Sequence, residues 1–571
     1  MKTNEIKYGI LAILMAGTTA LFGQSETDAT RYARTELGGS ARFQSMAGAM
    51  GAVGVDYSST LLNPAGLALS QRPLNISVSL AYDNIKTNAD WLSSSSKQNK
   101  NRFGIREFSI SGMTPISNDA SITYGFGYSR LSNYHSKFLV NAENPGGSLA
   151  DYVAATLNNM QKFGPGLIGH NSLSSDNYDN ASIPWMAIMG YEGGWINSND
   201  PSGGVYYPRF VYGDKDHPQI YSPQRAVMEM EQSGTNNRYD ANMAFNIEDK
   251  FFIGLGIFTS SIDYTSIGHY TEYYLEDESD NREDYLGLDN YVHETGFGGG
   301  FSLGMIYAPI PELRFGVAYY TPTWYSMKRN FDAIASSRYG GLDALEIEDK
   351  DGNKSIQKDL NNTTPPGYNS YDLKTPGKVT ASVAAILGNR AILSFDYEYS
   401  DLGNSKLSND EENYSGPNVY KVDNQAIKED YGGQHTYRIG AELRATQRLS
   451  LRAGYMTKTA PVKNKNLTDF SGSQKQEVLT SGTTPAYILQ GKSYALTGGL
   501  GYRITPNWTA DIAVVWQHYN SHLVTFPYIN DYGNSLSPDA GNPAPDARLS
   551  QKPINLDKDQ IKVLATLTYR F

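Results

Sequence analysis

From Leu74 to Phe571 the chain repeats one pattern in pairs: two stretches of about ten residues, each alternating between two kinds of side chain, joined by a break. The stretch Gly296 to Thr321, GFGGGFSLGMIYAPIPELRFGVAYYT, shows it most fully. Phe301, Leu303, Met305 and Tyr307 fall on one face, with Gly300, Ser302 and Gly304 on the other. After a Pro-containing turn over 308–312, Leu313, Phe315, Val317 and Tyr319 alternate with Arg314, Gly316 and Ala318. A period of two belongs to a strand lying between two environments. An apolar face ending in aromatic residues, opposite a small and polar one, fits lipid on one side and a polar lumen on the other.

The pattern recurs at 74–84, 104–113, 120–131, 237–248, 250–264, 296–308, 312–320, 376–387, 390–400, 434–444, 448–457, 492–503, 507–519 and 560–571. These stretches predict an all-β fold, a fourteen-stranded antiparallel transmembrane β-barrel over 74–571. The connections alternate strictly. Long ones cover 85–103, 132–236, 265–295, 321–375, 401–433, 458–491 and 520–559, and the intervening turns are short. That alternation sends every long loop to one side of a membrane and every short turn to the other, as in outer-membrane barrels. In the last stretch Val563, Ala565, Leu567, Tyr569 and Phe571 share one face, and Lys562, Thr566, Thr568 and Arg570 the other. Ending on Phe571 with Tyr569 before it resembles the signal read by the barrel assembly machinery, and closure would pair this strand with the first.

Composition narrows the alternatives. A net charge of −11 argues against nucleic acid as a partner, since phosphate binding needs a basic surface. The chain has no cysteine, which removes disulfides, thiolate metal sites and cysteine nucleophiles. Residues 1–23 read as a cleavable signal peptide for export across the inner membrane of a Gram-negative cell: Lys2 and Lys7, then the apolar run Ile10 to Met15, then small residues up to Gly23. No Gly-x-Ser-x-Gly elbow or coherent Ser–His–Asp set stands out, so no enzyme is expected. The eight histidines are scattered, and His518 and His522 share no helical face; no metal or cofactor is expected. Asp349 to Asn353 lacks the ligand spacing of a calcium loop.

Residues 24–73 are different. Gly38 to Arg42, then MAGAMGAVGV from Met46 to Val55, then Asn63-Pro64-Ala65-Gly66 bring together many small residues, which suits a segment packed in a confined space. This glycine-rich start, the Asn-Pro-Ala motif directly ahead of the first strand, and the hairpin ending Arg314 to Pro322 together resemble the FadL-type family of long-chain fatty acid and hydrophobic-compound transporters. The resemblance covers the whole chain after residue 23, with expanded loops at 132–236 and 321–375. It implies a periplasmic hatch of residues 24–73 inside the barrel and outer-membrane passage of hydrophobic small molecules such as fatty acids. Relatives of the same family include haem receptors and the shuttle proteins of the type IX secretion system, and these stay open as alternatives. A monomer embedded in outer-membrane lipid is expected.

Three groups of residues are candidates for function. Arg438 and Arg452 alternate with apolar residues on their strands and face the lumen, where either could meet the carboxylate of an amphipathic ligand. An ion network with Asp396, Glu398 and Glu442 is the competing role. In loop 132–236, Val153, Leu157 and Met160 are spaced as on a helix over 151–163. Further on, Trp185, Met186, Ile188 and Met189 could form an outer capture groove, or the loop could fold on itself over the mouth. In the hatch, Gly48, Gly51 and Gly54 would give backbone freedom for gating, while Asn63, Pro64 and Ala65 hold a fixed turn.

Overall fold

The computed structural model describes residues 25–163, 166–180, 182–198, 200–214, 217–220, 222–277, 282–338, 345–348, 354–357, 359–388, 390–410, 417–464, 482–527 and 551–571. The signal segment and Asp349 to Asn353 lie outside them.

Fourteen strands pair antiparallel, each with its neighbour in sequence. They are β1 (Asn75–Trp91), β2 (Ser94–Ser117), β3 (Ala120–Asn133), β4 (Arg225–Ile247), β5 (Phe251–Asp277), β6 (Arg282–Ile310) and β7 (Leu313–Tyr320). The set continues with β8 (Lys378–Leu387), β9 (Ala391–Asp401), β10 (Gly433–Arg444), β11 (Leu449–Lys458), β12 (Tyr487–Arg503), β13 (Trp508–Val524) and β14 (Ile554–Arg570). β14 returns to β1 in continuous register from Asn75↔Arg570 to Asp90↔Asn555, so the sheet closes and neither of these two strands is left as an edge. Shorter segments carry some strands past an interruption: Ser136–Glu143 beyond β3, Trp324–Arg338 beyond β7, Gly367–Lys374 ahead of β8 and Lys406–Asn409 beyond β9.

The alternation works as expected. Phe301 and Leu303 are 60% and 52% exposed on the outer face of β6, and Ser302 between them is 4% exposed. On β14, Val563 and Leu567 face out, while Lys562 and Thr566 are buried in the lumen. An outward apolar belt with a polar interior is the arrangement of a membrane-spanning barrel. Among the described residues no helix is long and apolar enough to cross a membrane.

Two connections expected to be long loops are not loops. β1 and β2 pair as far as Trp91↔Ser94, and β5 and β6 as far as Asp277↔Arg282, so 85–91, 94–103, 265–277 and 282–295 are strand. Above the lipid belt the outward positions turn polar, as at Asn84, Lys86 and Asn88, and the apolar alternation fades. The inward positions Ile85, Ala89 and Trp91 stay buried, because they face a packed mouth.

That packing comes from the connection between β3 and β4. Helix α3 (Leu149–Phe163), helix α4 (Trp185–Glu192) and a small hairpin pack on Phe138, Leu286, Phe331, Leu523 and Ile554, inward residues of strands all round the ring. Val153, Leu157 and Met160 lie at the centre of this cap, as their helical spacing predicts.

Candidate functional site

Below the cap, residues 25–73 run inside the ring of strands. Helices α1 (Glu26–Ala33) and α2 (Ala41–Ser45) are followed by two 3-10 turns, Tyr57–Leu61 and Pro64–Leu69. The segment is tied to the wall on nearly every side. Asp28 receives Arg329 Nη1 at 2.8 Å and Arg31 at 2.6 Å. Tyr32 and Tyr371 both donate to Glu294 of β6. Arg42 pairs with Glu442 at 2.9 Å, the Gly51 amide donates to Asp396 at 2.9 Å, and the Tyr57 hydroxyl donates to Asp240 at 2.9 Å.

The Asn63-Pro64-Ala65 motif has a specific job. The Asn63 side chain accepts from the Ala65 amide at 3.0 Å and caps the turn that begins at Pro64. The motif also presses on Gly254 and Gly304 of the wall: an added Cβ would collide with Pro64 and Ala65 at the first and with Asn63 at the second. The motif thus meets a wall kept bare to receive it. Gly48 and Gly54 have φ of +76° and +64°, conformations an L side chain rarely adopts. Gly51 sits against Ser382 and Asp396, where a Cβ would press on Ser382.

A line of small cavities runs between this segment and the wall. Under the cap, one of 150 Å³ is lined by Arg31, Arg34, Tyr134, Phe138, Tyr519 and Leu556, among others. A second, of 110 Å³, lies against Leu37, Phe43, Leu61 and Leu62 of the N-terminal segment; Glu36 borders both. Its opposite wall carries Phe258, Tyr320, Arg238, Lys378, Arg438 and Lys458, with Glu398 between two of the cations. Glu398 receives Arg438 Nη2 at 3.2 Å and lies 3.7 Å from Lys378 Nζ. Arg238 stacks over Phe258 at 4.0 Å, and Lys378 Nζ lies 4.8 Å from the Tyr320 ring centre. Apolar rings and cations lining one space suit an amphipathic anion.

The wall is interrupted at the level of this cavity. β7 breaks at 321–323, β8 is separated from its upper segment at 375–377, and β9 breaks at 402–405. Across the break, the Thr375 amide donates to the Thr323 carbonyl at 3.0 Å. Thr321, Thr323 and Thr375 face the inner cavity, while Tyr319, Pro322, Gly377, Val379 and Tyr399 line an outer groove of 410 Å³; Pro376 borders both.

The candidate residues divide clearly. Arg438 lines the cavity and keeps Nη1 without an acceptor among the described residues. Arg452 does not line it. It is held by Glu442 at 2.7 Å and Asp511 at 2.6 Å, so here the ion network prevails. Trp185, Met186, Ile188 and Met189 form no exposed groove. They are buried inside the cap, with Trp185 Nε1 donating to the Tyr178 carbonyl and its ring against Phe331. The run Trp185 to Gly190 has no polar face, and a helix apolar all round is driven inward. Sequence reasoning missed Arg238, Lys378 and Lys458. Arg238 shares the inward face of its strand with Asp240 and Asn242 and alternates with outward Tyr239, a signal that could have singled it out.

No protein-family profile matches the chain, and no curated protein matches it. Among solved structures, a FadL homologue from Pseudomonas aeruginosa matches 94% of this chain and 99% of its own, at 12% identity and a TM-score of 0.49. The Ralstonia pickettii toluene transporter TbuX gives the same coverage at 13% identity and 0.43. The Pseudomonas putida toluene transporter TodX does so at 11% and 0.42. At such values the barrel assignment stands on the closed sheet and its outward belt.

Proposed function

We propose that this chain is an outer-membrane channel that binds hydrophobic molecules, long-chain fatty acids among them, and lets them pass. The observation that carries the reading is the line of amphipathic cavities between the N-terminal segment and the wall. A poorly soluble chain gains about 0.8 kcal/mol per buried methylene, so successive apolar sites offer it a path that open water does not. The structural neighbours named above as toluene transporters are consistent with a hydrophobic ligand. The long connections then lie outside the cell and the short turns in the periplasm.

Two onward routes are open to a ligand in the 110 Å³ cavity. In one, the N-terminal segment acts as a hatch and moves aside near Gly48, Gly51 and Gly54. In the other, favoured by the three adjacent strand interruptions, the ligand leaves sideways past Pro376 into the outer groove. A protein shuttle or a haem receptor is the alternative on the same barrel. The described lining of the cavities includes no histidine to ligate haem iron.

A cross-link separates the routes. A Cβ placed on Gly51 would lie 3.1 Å from that of Ser382, a few tenths of an ångström short of the usual disulfide spacing of about 3.5–4.5 Å, so a small local shift lets the bridge form, and the natural chain has no cysteine. With Gly51→Cys and Ser382→Cys, oxidation should abolish uptake of labelled palmitate and reduction should restore it. Uptake unchanged by oxidation would rule out hatch movement and leave the sideways route. No uptake in either state, in cells that assemble the wild-type barrel, would overturn the channel reading.

A further inference from the structure

The cations around the 110 Å³ cavity are more than a carboxylate needs. Arg238, Lys378, Arg438 and Lys458 line it against Glu36 and Glu398. Glu36 already has two ammonium partners outside the lining set, Lys558 at 3.5 Å and Lys562 at 3.6 Å. Among the described residues Lys458 Nζ donates to a carbonyl, that of Thr35 at 2.8 Å. Asp240 stands behind Arg238, its oxygen 3.8 Å from Nε and so beyond a hydrogen bond, while its other oxygen is taken by Tyr57 and Asn242. Basic side chains thus outnumber the carboxylates that line this space.

The hydrogen bonds point the same way. Arg238 is 4% exposed, and its Nε and Nη2 find no acceptor among the described residues. Arg438 is 7% exposed and has the same want at Nη1. A buried guanidinium N–H left without an acceptor costs free energy, about 1–3 kcal/mol or more for a charged group. These nitrogens come from two strands of the wall, β4 and β10, and border one cavity. A carboxylate has two oxygens and one negative charge. A phosphate monoester has three terminal oxygens and a charge of about −1.5 to −2 near neutrality. Forked guanidinium donors suit planar or tetrahedral oxyanions of this kind.

The cavity is also small. Small-molecule sites usually run to roughly 300–1,000 Å³, so 110 Å³ holds a headgroup and not a long tail. Tyr320, Phe258 and Leu61 beside the cations, and the neighbouring 150 Å³ cavity, give a tail its continuation.

We infer that the cavity between Arg238, Arg438, Lys378 and Lys458 is a binding site for the phosphoryl headgroup of an amphipath, an alkyl phosphate monoester or a lipid of that class. The inference rests on the channel reading and names the class of headgroup it selects. The donor set discriminates by charge and oxygen number, and the apolar rings require an attached tail.

The test uses the full barrel in lipid nanodiscs, with dodecyl phosphate, laurate, dodecanol and inorganic phosphate as probes. Dodecyl phosphate should bind about tenfold or more tightly than laurate at about pH 8, and its affinity should fall as the second phosphate proton returns below about pH 6. Arg238→Gln with Arg438→Gln should bring dodecyl phosphate down to the affinity of laurate. Should that variant not fold, the pH profile of the wild type decides alone. Laurate binding as tightly as dodecyl phosphate, with no pH dependence for the latter, would overturn the headgroup assignment and leave the channel reading standing. Inorganic phosphate binding as tightly as dodecyl phosphate would overturn the amphipath. If dodecyl phosphate, laurate and dodecanol all fail to bind, the channel reading goes, and this inference with it.

Discussion

Arg452 donates to Glu442 and to Asp511, and Arg42 of the N-terminal segment closes the same group from inside the barrel. Arg438, on the neighbouring strand, shares Glu398 with Lys378 and keeps a free donor toward the cavity. The two arginines should therefore answer differently to substitution. Arg452→Met leaves two buried carboxylates with one cation and should cost about 3–5 kcal/mol, read as a lower urea midpoint by tryptophan fluorescence. Arg438→Gln should leave that midpoint nearly in place and weaken anionic ligands. Equal losses of stability would mean that both are structural. Alternation alone puts both arginines in the lumen, and it does the same for Arg238. It does not show that Lys378 and Lys458, from strands far apart in sequence, converge on Arg238, because that meeting depends on how the ring closes.

Among the elements, α4 and α5 (Lys421–Asp430) show what a local pattern can and cannot tell. The apolar run of α4 was legible, but its lack of a polar face was the informative part, and it marks a core element. α5 packs its Ile427 with Ala29 and Tyr32 of α1, and sets Asp423 and Asp430 near Glu26. Burial pushes the Asp423 carboxyl up to about 7, with the nearby Asp28 adding repulsion. Burial first, then Asp430, raises Glu26 well above the carboxylate range. Groups raised in the folded state hold more protons than in the unfolded chain, so this contact is strongest at acid pH. Its stability falls as pH rises from about 4, the unfolded carboxyl pKa, through about 7 for Asp423. Amide exchange over 421–430, corrected for intrinsic rate, should show less protection at alkaline than at mildly acidic pH. Asp423→Asn should flatten the portion near neutrality. Protection that rises with pH would contradict the burial of these acids.

At the scale of the molecule, the closed ring was legible because lipid imposes one rule on every strand. Outside the belt that rule lapses. The extended hairpins of β1–β2 and β5–β6 therefore read as loops until the buried inward positions Ile85, Ala89, Leu286 and Leu288 are seen to meet the cap. The proposed channel requires that a hydrophobic molecule be held inside this ring, between the N-terminal segment and the wall. Photolabelling tests it most directly, using an alkyl probe with an anionic head and a diazirine beside that head, on the folded barrel in nanodiscs. Labels are expected within 235–260, 320–325 and 375–378, suppressed by excess unlabelled amphipath. Labels confined to the outward belt, around Phe301, Leu303 and Phe315, and unaffected by competitor, would contradict it.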